Sequence, residues 1–193
     1  MQLFTVGERR HKDFNGRLYW ANSRHRPSIG AANRFPDKCD KDPEGTRALN
    51  VTATESLASL CAARDIFLLY ISTDYVFPGK PGDAPYEADA IPQPTNLYGQ
   101  TKLDGEKAIL DVYNKAGKTG LGVVLRVPVL YGDAEVPAES AVNILMDTVW
   151  KAQAPGTKIS MDHWALRYPT NTRDVGRVCH GWCPGIQSIA PRC

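Results

Sequence analysis

The run "IFLLYIS" at residues 66–72 is apolar up to its last residue and follows directly on a stretch with helical period. A half-exposed strand would show a polar residue at every second place, so this run belongs in a sheet covered on both faces. A second run, "LGVVLRVPVLYG" at 121–132, also comes after a helical stretch and ends at Pro128 and Gly132. Buried strands that alternate with helices need crossover connections, which means a parallel α/β sheet with flanking helices.

The helical stretches can be placed by their apolar spacing. "TRALNVTATESLASLCAARD" (46–65) carries Leu49, Ala53, Leu57, Leu60 and Cys61 on one expected face. A second helix runs from Tyr98 to about Tyr113, closed by "AGKTG". A third is expected from about Ala138 to Ala152, with Val142, Leu145, Met146 and Val149 inward, followed by a short strand near "KISM". Between the first strand and the second helix lies "TDYVFPGKPGDAPYEADAIPQPT" (73–95), a Pro/Gly/Asp-rich loop long enough to be functional or disordered.

Composition narrows the function. The chain has 193 residues, 42% hydrophobic and 23% charged, with a net charge of +2. That length suits one ordinary domain with a real core, and the mild charge argues against nucleic acid or an anionic membrane as partner. No apolar run approaches the about 18 residues of a membrane span. Five cysteines and four histidines show neither paired nor metal-ligand spacing, so a reducing, cytoplasmic setting and no metal site are expected. Asp162 and Asp174 likewise lack ligand spacing with His163.

In an open parallel sheet, ligands sit beyond the carboxyl ends of the strands. Thr73 stands at the end of the first buried run, and Tyr98 precedes Lys102 by four residues, one turn of helix. Eight tyrosines in such a chain give roughly 0.4 chance Tyr-x-x-x-Lys matches, so spacing alone also suits a solvated helix face. Position at the strand end gives the trio a chemistry. When a ketone is reduced its oxygen needs a proton, and a phenol whose ionisation an adjacent cation favours can supply it. Thr73 would hold the carbonyl oxygen, or else simply bond local backbone. His163 and Trp164 could line a surface or pack a loop, and Arg167 is the choice for an anion contact. Thr172 reads as a helix N-cap, with Asp174 in the first turn.

With these residues in place, the chain resembles the extended short-chain dehydrogenase/reductase family. Thr73, Tyr98 and Lys102 match its Ser/Thr, Tyr and Lys. "STDYVFPG", "APYEADAIPQPTNLYGQTKLDGEKA" and "LRVPVLYG" are similar to the dTDP-4-dehydrorhamnose reductase branch. "LYGQTKLDGEKAIL" and "MDHWALRYPTNTRDV" (161–175) resemble the group within it formed by the regulatory β subunits of methionine adenosyltransferase. The resemblance covers about residues 30 to 179 and implies a Rossmann-like NADP-binding protein. It also implies a catalytic methionine adenosyltransferase subunit as partner and modulation of S-adenosylmethionine synthesis. The alternative is an NADPH-dependent reductase of a nucleotide-linked keto sugar. By position, Ala31, Ala32 and Arg34 would line the dinucleotide, Tyr98 and Lys102 would hold the nicotinamide ribose, and Val129 and Leu130 would lie by the nicotinamide.

The family pattern is not met at either end. Gly7, Gly16 and Gly30 are isolated, so residues 1–30 hold no G-x-x-G-x-x-G turn for a pyrophosphate. Residues 1–29 are Arg-rich and acid-poor, which suits a transit peptide or a disordered, non-homologous leader. Residues 180–193 are expected to be a non-homologous tail. The expected fold is thus truncated, without the first βαβ unit and the C-terminal lobe, and its NADP binding is expected to be weak or absent.

Overall fold

In a computed structural model of the chain, residues 28–29, 32–161 and 166–181 are described. Three parallel strands form the main sheet in the order β1 (Ser28–Ile29), β2 (Leu68–Thr73) and β3 (Gly122–Val127). Between β1 and β2 come α1 (Pro36–Lys41), α2 (Pro43–Arg47), a π-helical turn (Ala48–Thr52) and α3 (Ala53–Ala62). The helix α4 (Leu97–Lys115) links β2 to β3. A second, two-stranded parallel sheet pairs β4 (Leu130–Tyr131) with β5 (Thr170–Asn171). The helix α5 (Ile144–Ala152) lies between these two strands in sequence, and α6 (Thr172–Gly181) follows β5. Fold class, strand neighbours and strand direction are those the apolar runs predict.

The core lies between β2 and the pair α3 and α4. Ala58, Cys61 and Ala62 of α3 meet Leu68 and Tyr70 of β2 and Ile109 and Tyr113 of α4. Burying each larger apolar side chain here contributes about 1.5–3 kcal/mol. Polar atoms inside are satisfied: the Tyr113 hydroxyl donates to the Ile66 carbonyl at 2.7 Å, and Lys118 Nζ donates to the Ala62 carbonyl at 2.6 Å. These two bonds close the turn that delivers the chain from α3 into β2.

Several local expectations are corrected. Ser28 and Ile29, assigned by sequence to the leader, pair in parallel with Leu69 and Tyr70. The rest of that leader and most of the tail lie outside the described residues. The first long helix buries Asn50, Thr54, Ala58, Cys61 and Ala62, leaves Ala53 exposed and exposes 46% of Leu60. The π-helical turn adds a residue to one turn and rotates every later position, so a face counted at uniform period slips out of phase. Residues 157–161, around "KISM", form no strand. The helix α5 begins at Ile144, and its expected inward face is open, with Met146 65% and Val149 64% exposed. The helix α6 is capped one residue earlier than expected: Asn171 Oδ1 accepts the Arg173 N–H at 2.9 Å, while Thr172 is already helical.

The long loop 73–95 is a folded element. Phe77 and Tyr86 stack with centroids 4.2 Å apart, the Arg126 guanidinium lies 5.1 Å from the Phe77 ring, and the Gln93 N–H donates to the Val76 carbonyl at 2.9 Å. Val76, Phe77 and Leu103 make a second small core that seats the loop on α4.

Two glycines set how closely α4 approaches its neighbours. A Cβ at Gly99 would run into the Tyr75 carbonyl, and one at Gly105 would run into the Tyr70 hydroxyl and lie 2.8 Å from the Asn50 carbonyl. Gly105→Ala should therefore destabilise the chain by about 1–3 kcal/mol although alanine is the better helix former. Gly176→Ala on α6, where nothing lies within 4 Å, should be neutral or stabilising. Urea unfolding of the two variants measures the contrast, and equal midpoints would refute the close packing.

Candidate functional site

The carboxyl end of β2 delivers Thr73, and the chain then turns through a single 3-10 turn, Asp74–Val76. The Thr73 hydroxyl caps that turn by accepting the Tyr75 N–H at 3.2 Å, and it donates to Asp74 Oδ1 at 3.1 Å. The next helix, α4, starts against the same turn. Asn96 caps it by accepting the Gly99 N–H at 2.8 Å, and the lack of a Cβ at Gly99 lets its first turn press on Tyr75. Tyr98 thereby lies edge-on to Tyr75, with ring centroids 5.5 Å apart, on the side where the Thr73 hydroxyl can act on its phenol.

Thr73 and Tyr98 are thus brought together at the strand end. Lys102 lies one turn along α4, 2% exposed, but its ammonium is engaged elsewhere. Its Nζ donates to the Ile71 carbonyl at 2.7 Å and lies 3.9 Å from the centre of the Tyr70 ring. The expected partnership, in which the ammonium favours the phenolate, is not what governs the phenol. Burial pushes Tyr98 up to about 12, the Thr73 hydroxyl opposes the rise, and the charge of Asp74 adds to it. Burial also pulls Lys102 down to about 7, against the carboxylate of Glu106. Desolvation of both groups outweighs their proximity. The result near neutral pH is a protonated phenol, the form that donates a proton, beside an amine close to its own titration point.

The other candidate residues surround this centre unevenly. Ala32 and Arg34 are half-buried where the chain leaves β1, with the Arg34 guanidinium 4.9 Å from the Phe35 ring. Ala31 lies outside the described residues, as do Asp162, His163 and Trp164. Val129 and Leu130 are half-buried beyond β3. The Val129 carbonyl accepts the Thr170 N–H at 2.9 Å, and Leu130 pairs with Thr170 in the second sheet. Arg167 is near the centre, donating to the Tyr75 hydroxyl at 3.3 Å and lowering the Asp74 carboxyl, which burial otherwise raises. Among the described residues no group of three or more His, Cys, Asp or Glu could hold a metal ion, and no helix is long and apolar enough to cross a membrane.

Periodicity gives no hint of two networks that hold this site. Asn50, on the π-helical turn, accepts the Asn33 N–H at 2.8 Å and donates to Thr101 Oγ1 at 3.0 Å, while Asn33 Nδ2 donates to Thr46 Oγ1 at 3.0 Å. This ties the segment at Ala32 and Arg34 to α2, the π-helical turn and α4. Ser72, Glu106 and Arg126 form the second network, under Lys102.

Burial of Lys102 has a measurable consequence. The folded chain holds that proton more weakly than an unfolded one, so the unfolded state binds more protons between about 7 and the ordinary 10.5. Stability should therefore climb as pH rises through about 7 toward about 8.5, below the range where buried cysteines and tyrosines lose protons. The climb should be largely lost in Lys102→Met. Urea unfolding across that range checks it, and equal slopes for the two proteins would place the ammonium in water.

Comparison with known proteins fits this arrangement. The model of the RmlD substrate binding domain family matches residues 29–187. Methionine adenosyltransferase 2 subunit beta of Xenopus tropicalis is 49% identical over 149 residues, 77% of this chain and 41% of that protein. The chain thus spans less than half the length of that relative. A dTDP-4-dehydrorhamnose reductase of Mycolicibacterium smegmatis is 49% identical over 80 residues, 42% of this chain and 24% of that protein. The crystal structure of dTDP-4-dehydrorhamnose reductase from Bacillus anthracis in complex with NADP matches with a TM-score of 0.65 and 24% identity, over 82% of this chain and 52% of that one. A parallel Rossmann-like sheet, a Thr–Tyr pair at its carboxyl end and a family match over most of the length agree: the chain belongs to the RmlD substrate binding domain family.

Proposed function

We propose that the chain is an NADP-binding subunit of the regulatory kind, which joins the catalytic subunit of methionine adenosyltransferase in the cytoplasm and modulates S-adenosylmethionine synthesis. The observation that carries this reading is the length of the match: 49% identity to methionine adenosyltransferase 2 subunit beta runs over 149 residues, whereas the equally identical reductase of Mycolicibacterium smegmatis matches over 80. In this reading Tyr98 and Lys102 hold the nicotinamide ribose, Ala31, Ala32 and Arg34 follow the dinucleotide, and Val129 and Leu130 border the nicotinamide. These residues fit the nicotinamide half of the cofactor. The pyrophosphate half has no Gly-rich turn in this sequence to receive it.

A second reading is supported by the meeting of Thr73 and Tyr98 at the 3-10 turn after β2. A substrate carbonyl oxygen placed between the two hydroxyls would accept a hydrogen bond from Thr73 and a proton from the neutral Tyr98 phenol. The cofactor would supply hydride. The chain would then act as a reductase on a nucleotide-linked keto sugar, with Thr73, Tyr98 and Lys102 as its catalytic residues.

Charge-assisted bonds to the pyrophosphate are worth about 1.5–3 kcal/mol each, so losing several weakens binding by orders of magnitude. The 193-residue chain should bind NADPH with a Kd no better than about millimolar in calorimetry. It should oxidise no NADPH in the presence of dTDP-4-dehydrorhamnose, yet co-elute with a methionine adenosyltransferase catalytic subunit in size-exclusion chromatography. Micromolar NADPH binding would reveal a phosphate site elsewhere in the chain. Turnover of the keto sugar would favour the second reading, and failure to co-elute would reject the first.

A further inference from the structure

The environment of Lys102 includes a buried charge cluster that neither reading of the function uses. Glu106 is one turn further along α4 and 2% exposed. Its Oε1 accepts the Ser72 hydroxyl of β2 in a short hydrogen bond. Arg126 of β3 reaches the same carboxylate with two nitrogens, Nη2 at 2.7 Å from Oε2 and Nε at 3.0 Å from Oε1. Arg126 is itself held by the loop, through the Phe77 ring at 5.1 Å and the Ala88 carbonyl at 3.3 Å. The carboxylate is thus fixed directly by two strands, and through Arg126 by the loop. A bidentate, hydrogen-bonded pair of this kind holds the carboxylate in one orientation.

We propose that Glu106 is a positioning residue: gripped by Ser72 and Arg126 one turn along α4, its buried carboxylate favours the charged form of the Lys102 ammonium that the Ile71 carbonyl holds at the carboxyl end of β2. The ammonium has a carbonyl and a ring as its direct neighbours, and both are weak substitutes for water. The elements around α4 bring other ionisable groups: Tyr70 on β2, Arg126 on β3, Asp74 and Tyr75 on the 3-10 turn, and Cys39 on α1. Asp104 of α4 turns outward to pair with Arg47 of α2 at 3.2 Å. Among the described residues, Glu106 supplies the charge that acts on Lys102, and it opposes the desolvation. Without it the buried Lys102 and the half-buried Arg126 would lose the carboxylate that lies between β2 and β3. The inference deepens the reading of Lys102 as the ribose-binding residue and rests on it for its functional consequence. A neutral amine would lose the charge assistance of its bonds to ribose hydroxyls.

The test reads Lys102 directly and needs no cofactor or partner. Lysine side chains labelled with 13C are titrated by NMR in the full chain, and the Lys102 resonance is identified by its loss in Lys102→Arg. In Glu106→Gln, Lys102 should titrate lower than in the wild type by about one pH unit, the direction set by removing an anion. In Glu106→Asp it should stay within about half a unit. Merely loosening the packing would admit water and raise the value toward that of an exposed lysine, so a rise or no change in Glu106→Gln overturns the proposal. Should Glu106→Gln fail to fold, Lys102 is compared between Arg126→Gln and the charge-balanced Glu106→Gln/Arg126→Gln. It should titrate lower in the double variant, and an equal or higher value overturns the proposal. Failure of NADPH to bind would leave this result standing and would count only against the ribose reading.

Discussion

The contact between α4 and β2 is the constraint on which the site depends, and it is made largely of buried charge. Lys102 and Glu106, one turn apart on the helix, both point at the strand: the ammonium reaches the Ile71 carbonyl and the carboxylate reaches Ser72. Charges taken out of water destabilise a fold unless each finds a partner, so the helix has one acceptable rotation and one acceptable height above the sheet. Arg126 extends the same constraint to β3 and to the loop 77–90, which rests on the guanidinium through Phe77.

Fixing α4 in this way also fixes Tyr98. The helix begins next to the strand end because Gly99 permits contact with the Tyr75 backbone, and Gly105 permits the same closeness against Tyr70 and the π-helical turn. The Asn50 network then holds the segment after β1 at the same edge. Three crossings of the chain, after β1, after β2 and at the start of α4, therefore meet at one end of the parallel sheet. Such a meeting point is where open α/β sheets bind ligands. The price is electrostatic: burial keeps the phenol protonated over a wider pH range and pulls the amine toward a neutral form that water would not favour.

Much of this was legible in the residues. The two apolar runs identify β2 and β3 and their parallel relation, because a strand covered on both faces needs crossover helices. Tyr98 and Lys102 fall on one helix face by spacing alone, and Thr73 falls at the strand end by counting. Less legible were features that break uniform period. The π-helical turn at Ala48–Thr52 rotates the buried face of the helix from Ala53 and Leu60 to Thr54 and Ala58. The polar residues on that face, Asn50 and Thr54, carry no apolar signal.

The sequence by itself determined the fold class, the two central strands with the helix that joins them, and the residue types gathered at the strand ends, because hydrophobic period and turn residues are local properties of the chain. Only the tertiary structure decided the protonation of the site. Whether an amine beside a phenol lowers the phenol's ionisation depends on how much water each retains and on which atom the ammonium faces. Here Ile71, Tyr70 and Glu106, brought in from 31 residues away, from β2 and from the next helical turn, decide that. Desolvation is a property of the packed interior, which residue spacing does not encode.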